Sequence, residues 1–206
     1  MMNSPILCET WQRHGRTCMS YFLRALILGG FILFGVSCGY KDLPKLKEQA
    51  GSPFKELMLQ YRLRADIAYN IAQIFKGEVS LKPEVDAVLA SRSKALSIQL
   101  SLETFNERDN NRFQSYQNFL GRDCELLIKK AQNLSKQKIS PVFLSQMDQW
   151  ERVNQKLVRL KRDYLKVAKS FNTKKQEFPY SLYNKLKFGY QPLPDIGDLA
   201  TANGGI

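Results

Sequence analysis

Cys38 is the residue best placed to do chemistry in this sequence, and the chemistry is attachment of a lipid. The uncharged run Ala25-Leu26-Ile27-Leu28-Gly29-Gly30-Phe31-Ile32-Leu33-Phe34-Gly35-Val36-Ser37 follows Arg24 and stops at Cys38-Gly39. A basic start, a short apolar core and small residues before a cysteine are the parts of a bacterial lipoprotein export signal. On this reading Cys38 is the first mature residue and carries the lipid that holds the chain on a membrane. Val36 and Ser37 suit such a signal, whereas Gly35 stands where leucine is usual.

Other chemistry is scarce. The single histidine, His14, lies on the signal side of Cys38, so neither a metal site nor a catalytic pair of the mature chain has a histidine to use. We expect no metal and no cofactor. Cys8 and Cys18 leave with the signal, which isolates Cys124 and rules out an intramolecular disulfide. Cys124 reads as a small buried hydrophobe. Asp66, Glu103, Glu107 and Glu151 are the carboxylates that a cell-wall hydrolase would have to pair. Helix-surface carboxylates are more often solvated partners of Lys or Arg, and no Gly-rich phosphate loop is present. The expectation is a non-enzymatic protein.

Length separates a signal from a spanning helix. Crossing the hydrocarbon core takes ~20 apolar residues and a signal core only ~7–15. Residues 25–37 fall in the second class. Tyr21-Phe22-Leu23 would lengthen the run only if Arg24 snorkelled, and that arrangement is the uncleaved anchor of a single-pass membrane protein. Residues 1–18 show no periodicity, and Met19 would open a compact signal, so the start at Met1 is open to reassignment. The expected organisation is a signal over 1–37, a helical domain over 38–191 and a disordered tail over 192–206.

From Cys38 onward about 170 residues remain, enough for one domain. The full chain carries +12. Residues 1–37 hold Arg13, Arg16 and Arg24 against Glu9, which leaves the mature part at about +10 and drawn to acidic surfaces. After export those surfaces are anionic lipid or cell-wall polymer; nucleic acid is not expected as a partner.

Apolar residues recur at spacings of three and four, so the elements that position these residues are helices. A first helix is predicted over 43–76 with Ala50, Phe54, Leu57, Tyr61, Ala68, Ile71 and Phe75 on one stripe, stopped by Gly77. Gly51-Ser52-Pro53 predicts a kink or restart within it. A second opens at Pro83 with Val85, Val88, Leu89, Ala95 and Leu96 inward. A third covers 111–136 with Phe113, Tyr116, Leu120, Leu127, Ala131 and Leu134. Ser140-Pro141 reads as an N-cap and first position of a long fourth helix. Phe143, Met147, Trp150, Leu157, Tyr164, Ala168 and Phe171 form its stripe, and Phe178-Pro179 ends it. A short helical piece is placed around 181–188.

Four such helices pack most simply as an antiparallel four-helix bundle, an all-α fold with long first and last helices. Arg64 and Asn154 are polar residues on apolar stripes and are expected as buried contacts that set helix register, with a ligand site as the alternative. The up-down topology brings the start of the first helix and the end of the fourth to the membrane. That end gathers Lys41, Lys45, Lys47 and Lys55 with Lys166, Lys169, Lys174, Lys175, Lys185 and Lys187. Of these, Lys41, Lys45, Lys47, Lys174, Lys175, Lys185 and Lys187 are candidates for contact with lipid headgroups.

The segment Gln60-Tyr61-Arg62-Leu63-Arg64-Ala65-Asp66-Ile67-Ala68-Tyr69-Asn70-Ile71 resembles the Gln-x-x-x-Arg-x-Asp-Leu-Ile-Pro-Asn-Leu segment of the LemA family. Glu151, Arg162, Tyr164, Asn172, Phe178-Pro179, Phe188-Gly189-Tyr190 and Pro192 follow the order and spacing of that family's last helix and tail, and Gly39-Tyr40-x-x-Leu43 fits its opening. Tyr69 replaces a usual proline, Asn154-Gln155 stands where Glu-Asn is common, and the Gly51-Ser52-Pro53 breakers are atypical. The resemblance implies a divergent member, anchored to a membrane at its N terminus and without an established activity; it supplies no catalytic residues.

The functional expectation is a membrane-anchored lipoprotein of the bacterial cell envelope, facing the periplasm or the exterior. It acts as a structural or interaction module for an unidentified envelope protein. The alternatives are a single-pass subunit of a membrane complex and, less favoured, a cell-wall hydrolase.

Overall fold

A computed structural model describes residues 42–134 and 140–196. The described residues are all helical, with no strand. Five α-helices follow in order: α1 Asp42–Ile74, α2 Lys82–Leu96, α3 Glu107–Leu134, α4 Pro141–Gln176 and the short α5 Tyr180–Tyr183. None of the described helices is long and apolar enough to cross a membrane. Cys38, Lys41 and the apolar run before them lie outside the described residues.

Helix α1 continues unbroken through Pro53, against the predicted kink or restart. Proline inside a helix costs about 3 kcal/mol. Burial of Phe54 and Leu57, about 1.5–3 kcal/mol each, offsets that cost. At its far end Phe75 and Lys76 bond back to the carbonyls of Ala72 and Gln73, three residues earlier, before Gly77.

A 3-10 turn, Val79–Leu81, leads into α2, capped by Glu78, whose carboxylate accepts from the Ser80 hydroxyl at 2.7 Å. Pro83 occupies the first turn of α2. The Asn106 side chain accepts from Asp109 N–H at 2.7 Å, so α3 begins four residues before the predicted start. Ser140 caps α4 by accepting from Val142 N–H at 3.3 Å, with Pro141 first in the helix.

Helix α1 is the hub. Its contacts with α4 run from Asp42–Lys174 through Glu56–Lys156 and Arg64–Trp150 to Phe75–Phe143, so the two lie antiparallel along their length. Helix α3 runs in the direction of α1, with Tyr61 edge-on to Phe113 and Arg64 against Gln117. Glu84 of α2 pairs with Lys130 of α3, and α2 also packs on α1 through Arg92, which donates to Ala65 O. The predicted stripes are buried or half-buried except at Leu134, which is exposed. Leu134 is the last residue of α3, one turn beyond Lys130, which pairs with Glu84 in the first turn of α2.

The tail expected to be disordered from Pro192 packs on the helices as far as Ile196, the last described residue. Leu193 and Ile196 are buried. Asn172 of α4 accepts from Leu193 N–H and donates to Leu193 O, both at 2.8 Å, the pairing that a neighbouring strand would make. Tyr164 donates to Pro194 O at 3.0 Å, and Asn110 of α3 donates to Asp195 O at 3.2 Å.

Candidate functional site

Two polar constellations stand out in the fold. The first surrounds Arg64, at the middle of α1 where α1, α3 and α4 meet. Nη1 donates to Gln117 O at 2.9 Å and to Gln117 Oε1 at 3.4 Å, and the guanidinium lies 4.8 Å from the Trp150 ring centroid. A Cβ at Gly121 would sit 2.5 Å from Nη2, so the bare backbone of Gly121 makes the room. Arg64 Nε is buried without a hydrogen-bond partner. Burial lowers the Arg64 pKa, with the nearby Tyr61, Cys124 and Glu125 opposing that shift. The Arg64 contacts are thus a carbonyl, an amide oxygen and an aromatic face.

Arg64 is buried, but Asn154 on α4, also expected to be buried, is only half-buried. Asn154 sits one turn past the buried Trp150. Gln117 and Gly121 complete the pocket and were not singled out from sequence. Their spacing of four residues on one face of α3, with a glycine inside a strong helix, is the signal available.

The second constellation is the clasp where α1 starts. Asp42 accepts from Lys174 at 2.7 Å and from the Tyr180 hydroxyl at 3.0 Å. These hydrogen bonds, Lys174 first, hold the Asp42 carboxyl below its ordinary pKa, and the bond to Asp42 raises that of Lys174. Lys47 lies over the Tyr190 ring at 4.3 Å. Lys175 is half-buried and its pKa is lowered by burial. Lys45, Lys185 and Lys187 are exposed. Below the clasp, Asn184 accepts from Tyr190 N–H at 2.8 Å and donates to Tyr190 O at 3.1 Å. This brackets a π-helical turn, Asn184–Phe188, that closes at Gly189, whose φ of +61° favours glycine.

The carboxylates considered for hydrolysis are scattered. Asp66 pairs with Arg92, Glu103 bonds Ser101, and Glu151 accepts from Gln155. Cys124 is fully buried and its pKa is pushed up to about 12 by burial, the state of a packing residue rather than a nucleophile. A cavity of about 70 Å³ beside Tyr61, Ala95 and Phe113 has room for about two waters.

Residues 53–196 match the sequence model of the LemA family. No curated protein matches the chain.

Proposed function

The chain belongs to the LemA family, and from that premise we propose that it is a membrane-anchored envelope lipoprotein serving as a non-enzymatic structural or interaction module. We read its helices as an antiparallel four-helix bundle with α5 as an appendage. The observation that carries the proposal is what the motif side chains do. Arg64, Tyr164 and Asn172 each bond a main-chain group of another part of the fold, at Gln117, Pro194 and Leu193. These three family-marking residues build the scaffold.

The position of the clasp supports the anchor reading. Asp42 is four residues beyond Cys38 and is bonded to the end of α4, so a lipid on Cys38 would lie at the same end as Lys45, Lys174, Lys175, Lys185 and Lys187. Basic residues near an anionic surface contribute up to about 1 kcal/mol each. A retained, unlipidated span is the competing reading of the same segment, favoured by Gly35. Metabolic palmitate labelling of the full chain against Cys38→Ser separates the two. We expect label on the wild type and its loss in the variant; equal labelling of both would overturn the lipoprotein reading in favour of the retained span.

A further inference from the structure

Phe178, Leu182 and Leu186 follow one another at intervals of four on the segment that hangs below α4, and they are 79%, 49% and 77% exposed. The other side of the same segment is used inward: Asn184 is buried, and Tyr180, Tyr183 and Phe188 are half-buried. Large apolar side chains on the outer side of a segment that is otherwise packed mark a surface for something else.

Three observations identify what covers it. Tyr180 bonds Asp42, so the stripe sits beside the start of α1, a few residues from where the apolar run 25–37 ends. Lys185 and Lys187 flank Leu186, with Lys174 and Lys175 at the adjoining end of α4. Of the carboxylates at this end, Asp42 is engaged by Lys174, while Glu177 and Glu48 are exposed. An apolar stripe edged by lysines, held beside Asp42, four residues beyond Cys38 in the sequence, has the composition of an interfacial membrane segment.

We infer that residues 178–188 form an interfacial foot that inserts Phe178, Leu182 and Leu186 into the surface of the bilayer anchoring the chain, with Lys185 and Lys187 at the level of anionic headgroups. This rests on the membrane anchorage proposed above and adds a second, independent attachment. Two attachments fix the tilt of the bundle, whereas a single flexible tether leaves it free. The exposed Val79, one helix length of roughly 50 Å away at the other end of α1, stays in water.

The test uses the full chain in vesicles of brominated phosphatidylcholine and phosphatidylglycerol. Single tryptophans are introduced as Phe178→Trp, Leu182→Trp, Leu186→Trp and Val79→Trp, and the signal of the native tryptophans is subtracted from wild type. The foot predicts that the first three lose emission to the bromines and that Val79→Trp does not. Flotation of the vesicles is scored in parallel. Protein that floats while positions 178, 182 and 186 remain as bright as position 79 overturns the foot and leaves the anchor standing. Protein that fails to float overturns the foot, while the palmitate labelling above decides the anchor separately. Unquenched positions that instead crosslink between two chains, through Leu182→Cys, replace the bilayer with a second copy and likewise overturn the inference.

Discussion

The Arg64 guanidinium is held by three neighbours that each had to be the right residue: Gln117 supplies two oxygens, Trp150 a ring face and Gly121 an empty space. The last of these gives a prediction with a distinctive sign. A Cβ at Gly121 would lie 2.5 Å from Nη2, so the buried guanidinium has to shift within a closed site, at about 1–3 kcal/mol for overpacking. In a helix the same change is otherwise favourable by about 0.5–1 kcal/mol. Gly121→Ala should therefore lower the unfolding free energy in wild type and raise it or leave it unchanged in Arg64→Leu, measured by urea denaturation of the four proteins of the cycle. Additive effects would mean that Arg64 does not press on Gly121. Sequence periodicity placed Arg64 on the buried stripe because three helices converge on that stretch of α1. It placed Asn154 there too, and Asn154 is only half-buried.

Elements were legible wherever their determinants are local. The stripes, Pro83 and the Ser140-Pro141 start all depend on residues within a turn or two, and apart from exposed Leu134 they appear where periodicity puts them. Pro53 is held in the helix because burial of Phe54 and Leu57 outweighs its local propensity to break it. The strap after Pro192 escapes a local reading too. Its composition looks unstructured, and its order comes from Asn172, twenty-one residues earlier in sequence than its partner Leu193. The clasp between α1 and α4 is equally non-local and makes a pH prediction. Asp42 has a lowered pKa in the folded chain, chiefly through the Lys174 hydrogen bond and then that of Tyr180. Its contribution is present above the ordinary carboxylate value of about 4 and is lost as pH falls through the lower folded value. Lys174, with a raised pKa, contributes below its ordinary value of about 10.4 and loses that contribution as pH rises through the higher folded value. Between those limits the clasp is complete. Titration of the Asp42 carboxyl carbon by NMR should give a midpoint below the ordinary range that moves up in Lys174→Met. An unmoved midpoint would show that Lys174 does not hold it.

At the scale of the whole molecule, the core of the described residues divides in two. One cluster, from Ala65 and Ile71 through Val88, Leu120 and Leu127 to Phe143 and Trp150, fills the end where α1 passes into α2. The other joins Leu43, Phe54 and Tyr61 with Phe113, Tyr164, Phe171, Leu193 and Ile196 at the end beside the clasp. Arg64 and Gln117, both buried, lie between them. A polar layer of this kind transmits less packing energy than apolar contact, while α1 and α4 pass through it continuously. The strap belongs wholly to the second cluster, so damage to it should stay at that end. Ile196→Ala removes a fully buried side chain and should cost about 2–5 kcal/mol. Measured by native-state hydrogen exchange, the loss of protection should fall on the amides around Leu57, Tyr61, Tyr164 and Phe171. Those of α2 and of α3 from Leu120 to Ala131 should keep wild-type protection, because their sub-global openings do not break the contacts of Ile196. Equal loss at both ends would mean that the two clusters open only together, with the Arg64 layer acting as a joint rather than a boundary.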